Sequence, residues 1–161
     1  MLAIGDTILR SFNFVVLVIA LGLTGSLAAT TVTQSNPQVN FAVFSAAFAI
    51  LTSTFYGVLA YFVAAFAWPA VLALFDFLNI VFTFAAATAI AAGIRVHSCH
   101  NEDYIDNNKI TQGSTGRCRK AQASVAFLYF SFVIFVASGI FSVISVFKGG
   151  LFGGSKGGSK V

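Results

Sequence analysis

The chain has 161 residues, of which 58% are hydrophobic and only 9% are charged, and its mean hydropathy is +0.90. About a quarter of the residues of a soluble domain are usually charged, so the composition excludes an ordinary soluble domain and indicates one integral membrane domain. The formal net charge of +4 does not indicate nucleic-acid binding, because the basic residues lie in one loop and near the two termini, where they suit lipid headgroups.

Four apolar segments are each long enough to span the hydrocarbon core, which takes about 20 helical residues. They predict an all-α integral membrane protein, a four-transmembrane-helix bundle with spans at about 9–29, 41–67, 68–94 and 121–147. The first segment is too long for the apolar region of a signal peptide and is preceded by Asp6. The membrane domain therefore covers 1–148, with a polar loop at 95–120, and the Gly/Ser/Lys stretch 149–161 is expected to be a flexible tail.

Two of these segments carry small residues at helical spacing, which is typical of faces where membrane helices pack closely. The small residues recur every four positions in the second segment and every seven in the fourth. They are Ser45, Ala49, Ser53 and Gly57, then Ser124, Ser131, Ser138 and Ser145. The alternative is a polar pore lining, although a helical hydroxyl can bond its own backbone four residues back. Because two such faces exceed what one bundle needs, we expect one of them to serve self-association.

Asp76 is the only charged residue between Arg10 and Arg95, and it lies inside the third predicted span. A carboxylate in hydrocarbon is costly, so such residues normally face the bundle interior and pair with another group. We expect an intramembrane polar clasp in which Asp76 pairs with Arg10, Asn13 or Asn79. The alternatives are a proton or cation site used for transport, and contact with a lipid headgroup.

The only two cysteines, Cys99 and Cys118, lie in the polar loop between the third and fourth spans. Such a pair favours a disulfide in an oxidising compartment, which places the loop outside the cell and both termini in the cytosol. Two reduced, palmitoylated cysteines on the cytosolic side are the alternative. The charges do not decide the orientation, because four basic residues lie on the terminal side and five on the loop side.

No motif in the chain predicts a metal site or catalysis. His97 and His100 flank Cys99, but their spacing relative to Cys118 is not that of a structural zinc site, and a disulfide would consume both thiolates. No zinc-protease or phosphate-loop motif occurs. We therefore expect neither an enzyme nor a metal protein.

Four stretches of sequence carry a resemblance that covers nearly the whole chain. They are LRSFNFVVLVIALGL (9–23), WPAVLALFDFLNIVFTF (68–84), IRVHSCHN (94–101) and NKITQGSTGRCRKAQASVAFLYFS (108–131). In order and spacing they resemble the fungal non-classical export proteins of the MARVEL-domain superfamily, and the loop with the start of the fourth span is the most specific part. The resemblance implies a four-helix membrane module with cytosolic termini.

The resemblance also implies a function without catalysis. Its fungal members are associated with eisosomes, furrow-like plasma-membrane domains where nutrient permeases cluster, and they respond to sphingolipid levels. We therefore expect a multi-pass plasma-membrane protein that organises such domains and self-associates. Its expected partners are membrane lipids, eisosome proteins and permeases, with no nucleic acid and no cofactor beyond a bound lipid or sterol. The alternatives are a small transporter or channel that uses Asp76, and a factor that assists non-classical protein export.

Overall fold

The structure, a computed structural model, describes residues 4–32, 35–57, 68–95 and 97–149. Within them the elements follow in the order α1, α2 with a π-helical continuation, α3, a short α4 and α5. Their bounds are Ile4–Ala29, Pro37–Ala49 with Ile50–Phe55, Pro69–Ile94, Glu102–Asn107 and Thr115–Gly149. No strand occurs in these ranges. Four helices (α1, α2 with its continuation, α3 and α5) are long and apolar enough to cross a membrane, which confirms the all-α, four-span prediction.

Three helices begin before the predicted spans, because a helix continues through polar residues that a search for apolar runs leaves out. α1 begins at Ile4 rather than at residue 9. α2 begins at Pro37 rather than at 41, since proline lacks the N–H that the first helical turn leaves unbonded. α5 begins at Thr115 rather than at 121. The predicted end of the second span, residue 67, and tail residues 150–161 lie outside the described residues.

The four spanning helices form a bundle in which each packs mainly against two neighbours. α1 packs against α2 and α5, and α3 packs against the same two helices, with its most extensive contact to α5. One apolar cluster, which includes Leu27, Ile90 and Leu128, lies toward the loop after α3. A second cluster, which includes Leu17 and Phe135, lies further along the same helices. The bundle thus has apolar clusters along its length, and its buried charged residues lie toward the two ends.

The loop after α3 caps the end of that helix with side-chain hydrogen bonds. A helix leaves its last carbonyls without intrahelical donors. Here Asn108 Nδ2 donates to the carbonyl of Gly93 at 2.8 Å, and the Tyr104 hydroxyl donates to the carbonyl of Ile94. Burial raises the pKa of Tyr104, and nearby Arg95 offsets part of that rise, so the hydroxyl stays protonated and able to donate.

Two basic residues of α5 bind the end of α1. Arg117 Nη1 donates to the carbonyl of Leu27 at 3.0 Å, and its Nε donates to the carbonyl of Ile110 in the loop at 3.0 Å. Lys120 Nζ donates to Ser26 Oγ at 2.8 Å. A cation at the C-terminus of a helix interacts favourably with the negative end of its dipole. The sequence predicts that these cations contact lipid headgroups. In the structure they instead join α1, the loop and α5.

The predicted disulfide between Cys99 and Cys118 is present and ties the loop to the first turn of α5. The two Cα atoms lie 5.7 Å apart, and both residues are buried. Because both thiols are bonded, neither is available to ligate a metal or to be palmitoylated. His97 instead contacts the ring of Tyr104, with ring centroids 4.6 Å apart.

Both small-residue stripes lie inside the bundle. Ser45, Ala49, Ser53 and Gly57 are all buried, as are Ser124, Ser131 and Ser138. Ser145 departs from the prediction: it is exposed, and the nearest buried serine is Ser142. Ser142 follows Ser124 by about five turns of 3.6 residues, whereas a seven-residue repeat drifts around a straight helix by about 20° each time. The expectation that one stripe is free for another copy is therefore wrong.

Replacing Cys99 and Cys118 together by serine is expected to lower the free energy of unfolding by about 3 kcal/mol, the chain-entropy value for a closed loop of this size. Denaturant unfolding of the protein in detergent, compared with the unreduced wild type, measures the change. Thiol blocking of unreduced protein from intact cells, followed by mass spectrometry, checks the bond itself. Two alkylated cysteines in that protein would contradict the disulfide.

Leucine in place of Ser138 is expected to destabilise the bundle by about 1–3 kcal/mol, because the larger side chain must be accommodated in a packed interior. The same substitution at Ser145, on the same helix and exposed, is the matched control and is expected to change stability by less than about 0.5 kcal/mol. Unfolding by sodium dodecyl sulfate compares the two variants. Equal effects would show that Ser138 and Ser145 share one environment, contrary to the structure.

Candidate functional site

A buried guanidinium, that of Arg10, lies where all four spanning segments meet. Its Nη2 donates to Asp76 Oδ2 on α3 at 2.7 Å, and its Nε donates to Asp6 Oδ2, one turn earlier on α1, at 2.9 Å. Longer bonds of 3.4 Å run from Nη1 to Ser53 Oγ and from Nη2 to Ser142 Oγ on α5. Ser142 also donates to Asp76 Oδ2. We call these five residues the polar cluster, and none of them is more than 6% exposed.

Local structure explains how each side chain reaches the polar cluster. Asp6 and Arg10 lie four residues apart, which places them on one face of α1. Asp76 lies about two turns into α3. Ser53 lies in the π-helical continuation of α2, a wider helical turn that often occurs at functional sites. Gly57 follows one turn later and lies against the arginine stem, where a Cβ would be in van der Waals contact with Arg10 Cδ at 3.4 Å.

Of the three partners expected for Asp76, only Arg10 bonds to it. Asn79 Nδ2 donates instead to Thr52 Oγ1 at 2.9 Å, a separate link between α3 and the π-helical segment. Asn13 is 1% exposed, and its side-chain amide has no hydrogen-bond partner among the described residues. Each asparagine lies three residues after a member of the cluster, which turns its side chain by about 60° from that member's direction. Equal depth in the membrane was therefore not enough to bring them together with Asp76.

Sequence reasoning missed three members of the polar cluster: Asp6, Ser142, and Ser53, which it assigned only to a packing face. The four-residue spacing of Asp6 and Arg10 is a detectable signal of an ion pair on a helix. Ser142 carries no such signal, because it lies outside the seven-residue stripe that marks the other buried serines of α5. Its inward position follows only from the straight course of the helix.

The polar cluster buries two carboxylates and a single guanidinium. A guanidinium has five N–H donors, and Arg10 makes four hydrogen bonds within the cluster. Oδ1 of Asp6 and Oδ1 of Asp76 accept no hydrogen bond from the described residues. Removal of Arg10 would leave two buried carboxylates unpaired, whereas neutralising one carboxylate would leave one balanced ion pair. The cluster therefore depends on Arg10.

Four apolar spans joined by a buried ionic cluster define a multi-pass membrane bundle. The family model for the MARVEL membrane-associating domain matches residues 2–141, and the chain belongs to this family. No solved structure matches it.

Fungal non-classical export proteins are similar to the chain over most of its length. It is 79% identical to non-classical export protein 102 of Candida albicans over 155 residues, which cover 96% of this chain and 91% of that protein. It is 54% identical to non-classical export protein 2 of Saccharomyces cerevisiae over 153 residues, 95% of this chain and 88% of that protein. A homologue of the latter in Schizosaccharomyces pombe is 36% identical over 137 residues, which cover 84% of this chain and 75% of that protein. The resemblance seen in the sequence is confirmed.

Leucine in place of Arg10 is expected to lower the free energy of unfolding by about 3–5 kcal/mol, because two carboxylates then remain buried without a cation. Adding Asp6→Asn and Asp76→Asn to that variant removes both charges and should restore much of the loss. Unfolding in detergent by sodium dodecyl sulfate, followed by circular dichroism, gives both values. A single variant as stable as wild type, or a triple variant no more stable than the single one, would contradict this account of the cluster.

Proposed function

We propose that this protein is a non-enzymatic organiser of lateral domains in the plasma membrane, of the eisosome type, which self-associates and responds to sphingolipid. In this proposal the loop faces outward and both termini lie in the cytosol, so the polar cluster belongs to the cytosolic leaflet. The cluster acts as a clasp between the four spans. Membrane lipids, eisosome proteins and permeases are the proposed partners.

One observation carries the proposal: both ion pairs found among the described residues belong to Arg10, and both are used inside the bundle. A carboxylate that transports a cation, or acts in catalysis, must face a path along which its substrate arrives. Asp76 is fully buried and is covered by Arg10 and Ser142. This environment favours a structural clasp over a transport site.

The outer surface of the bundle supports a role in lateral contacts. Large apolar side chains are exposed on all four spanning segments, among them Phe12, Phe44, Phe77, Phe84 and Phe130. Since the small-residue stripes are used for packing within the chain, we propose that self-association uses this outer surface, with lipid or a second copy covering it. Contiguous exposed apolar surface of this kind is what a bilayer or another membrane protein covers.

The clasp offers a means by which lipid could act on the bundle. Arg10 lies near the start of α1, where a long basic side chain can extend toward the membrane surface. A phosphate group forms paired hydrogen bonds with a guanidinium as a carboxylate does, so a headgroup can compete with Asp6 and Asp76 for it. Hydrogen bonds between membrane helices average well under about 2 kcal/mol, so such competition can shift the packing without unfolding the chain.

Two other functions are the alternatives to be tested. The names of the relatives refer to non-classical export, and by similarity a contribution to the export of proteins without a signal peptide is one candidate. A transporter or channel that uses Asp76 is the other, and the unpartnered Oδ1 atoms of Asp6 and Asp76 are the observation in its favour.

Asparagine and leucine at Asp76 separate the clasp from the transporter. Asp76→Asn keeps an oxygen that accepts from Arg10 and leaves the cluster neutral, so fold, lateral clustering and the lipid response are expected to persist. Asp76→Leu removes the acceptor and should weaken all three. Clustering of a fluorescent fusion in cells, with and without inhibition of sphingolipid synthesis, gives the readout, and Ser145→Leu is the control.

A flux assay on the purified protein in liposomes completes this test. The proposal expects no ion or proton flux above that of empty liposomes for wild type and for Asp76→Asn. Flux through the wild type that Asp76→Asn abolishes, while fold and clustering stay intact, would replace the clasp with the transporter.

A further inference from the structure

A polar cleft of about 360 Å³ lies at the loop end of the bundle, at the end of α3 remote from Asp76. It is lined by Gln38 at the start of α2, Arg95 at the end of α3, and Tyr104 and Lys109 of the loop. An adjoining cleft of about 480 Å³ shares Gln38 and Lys109 and includes Asn36. Both volumes lie in the range of small-ligand sites, about 300–1,000 Å³.

The cleft concentrates positive charge without any acidic neighbour in its lining. The loop carries three acidic residues, Glu102, Asp103 and Asp106, yet none of them lines either cleft. Arg95 and Lys109 form no ion pair with a described residue. Two cations that share a concave site and have no counter-charge there favour an anionic ligand.

Several side-chain donors that line the cleft form no hydrogen bond within the described part of the chain. Tyr104 and Asn108 use their donors on the carbonyls at the end of α3. The side chains of Gln38, Arg95 and Lys109 form no hydrogen bond with a described residue. These three side chains can therefore all donate to a ligand in the cleft.

The start of α2 adds a second, independent indication of a missing partner. Asn36 is the N-cap residue but makes no capping hydrogen bond, so the first N–H groups of α2 lack a side-chain acceptor. Asn36 is only 5% exposed, and its Oδ1 has no partner among the described residues. A flip of the side-chain amide exchanges the positions of its oxygen and nitrogen, so Asn36 can also donate a hydrogen bond there. A helix N-terminus with unbonded N–H groups favours an anion.

The position of the cleft identifies the kind of anion. Pro37 begins one apolar span and Ile94 ends another, so the cleft lies at the level where a bilayer presents its headgroups. Phosphate is the anion that headgroups supply there, and Arg and Lys are the side chains that bind it. We infer that the two adjoining clefts, which share Gln38 and Lys109, form one site that binds a phosphate group. The phosphate is carried by a lipid headgroup or is free phosphate. The inference deepens the proposed lipid-dependent function and rests on it only in taking lipid as a ligand.

Lipid retention by the purified full-length protein tests the inference. Native mass spectrometry compares phosphatidic acid with diacylglycerol, which differs from it only by lacking the phosphate. Wild type is expected to retain phosphatidic acid preferentially. Arg95→Asn, which suits the left-handed backbone at this position, and Lys109→Gln should each reduce retention about tenfold, equivalent to about 1.4 kcal/mol. Arg119→Gln removes an exposed charge outside both clefts and should reduce it less than about twofold.

A second arm distinguishes the two sources of phosphate. Inorganic phosphate that raises the unfolding temperature of wild type but not of Lys109→Gln identifies free phosphate as a ligand. Retention of phosphatidic acid without any such effect identifies the headgroup. Equal retention of phosphatidic acid by Lys109→Gln and Arg119→Gln overturns the inference. If Arg95→Asn does not fold, the comparison of these two variants decides the matter. Because clustering in cells is measured separately, the inference and the proposed function can fail independently.

Discussion

The guanidinium of Arg10 is the interaction on which the rest of the membrane domain depends. In a bilayer the lipid is as apolar as the helix surfaces, so helices associate through close packing and polar contacts. Arg10 bonds to a residue on each of the other three spans and to Asp6 on its own. Since these partners must all point toward one group, the rotation of every helix about its axis is fixed at this level.

The small residues follow from that constraint. Once Ser53 and Ser142 face Arg10, the stripes that contain or adjoin them are turned into the interior, where their small size lets the backbones approach. Gly57 also faces inward, where it lies against the arginine stem. The outer surface is then left to large apolar residues, which suits a unit that contacts lipid and neighbouring proteins laterally.

The opposite end of the bundle is closed by a different kind of chemistry. There a disulfide, the side-chain caps on α3 and the contacts of Arg117 with α1 hold the loop in place. The two ends therefore differ: one is joined by charges that a competing ion can disturb, and the other is joined by a covalent bond. We therefore propose different roles for lipid at the two ends: altered packing at the ionic end, and binding to a preformed site in the loop cleft.

Sequence reasoning predicted the features that depend on composition and spacing along the chain. Four spans, the disulfide between Cys99 and Cys118 and a buried partner for Asp76, with Arg10 as one of three candidates, all follow from hydropathy, cysteine count and the cost of a buried charge. It failed where three-dimensional rotation decides the outcome. Asn13 and Asn79 have the right depth but the wrong direction, and Ser142 replaces Ser145 because a straight helix does not keep a seven-residue repeat.

The pairwise coupling of Arg10 and Asp76 tests the central claim most directly. A double-mutant cycle with Arg10→Gln, Asp76→Asn and the double variant gives this energy from unfolding in a bilayer or bilayer-like detergent. The expected result is a favourable coupling of about 1–2 kcal/mol, at the upper end of what polar contacts between membrane helices contribute. Additive effects, with a coupling below about 0.3 kcal/mol, would contradict the claim that Arg10 joins α1 to α3 through Asp76.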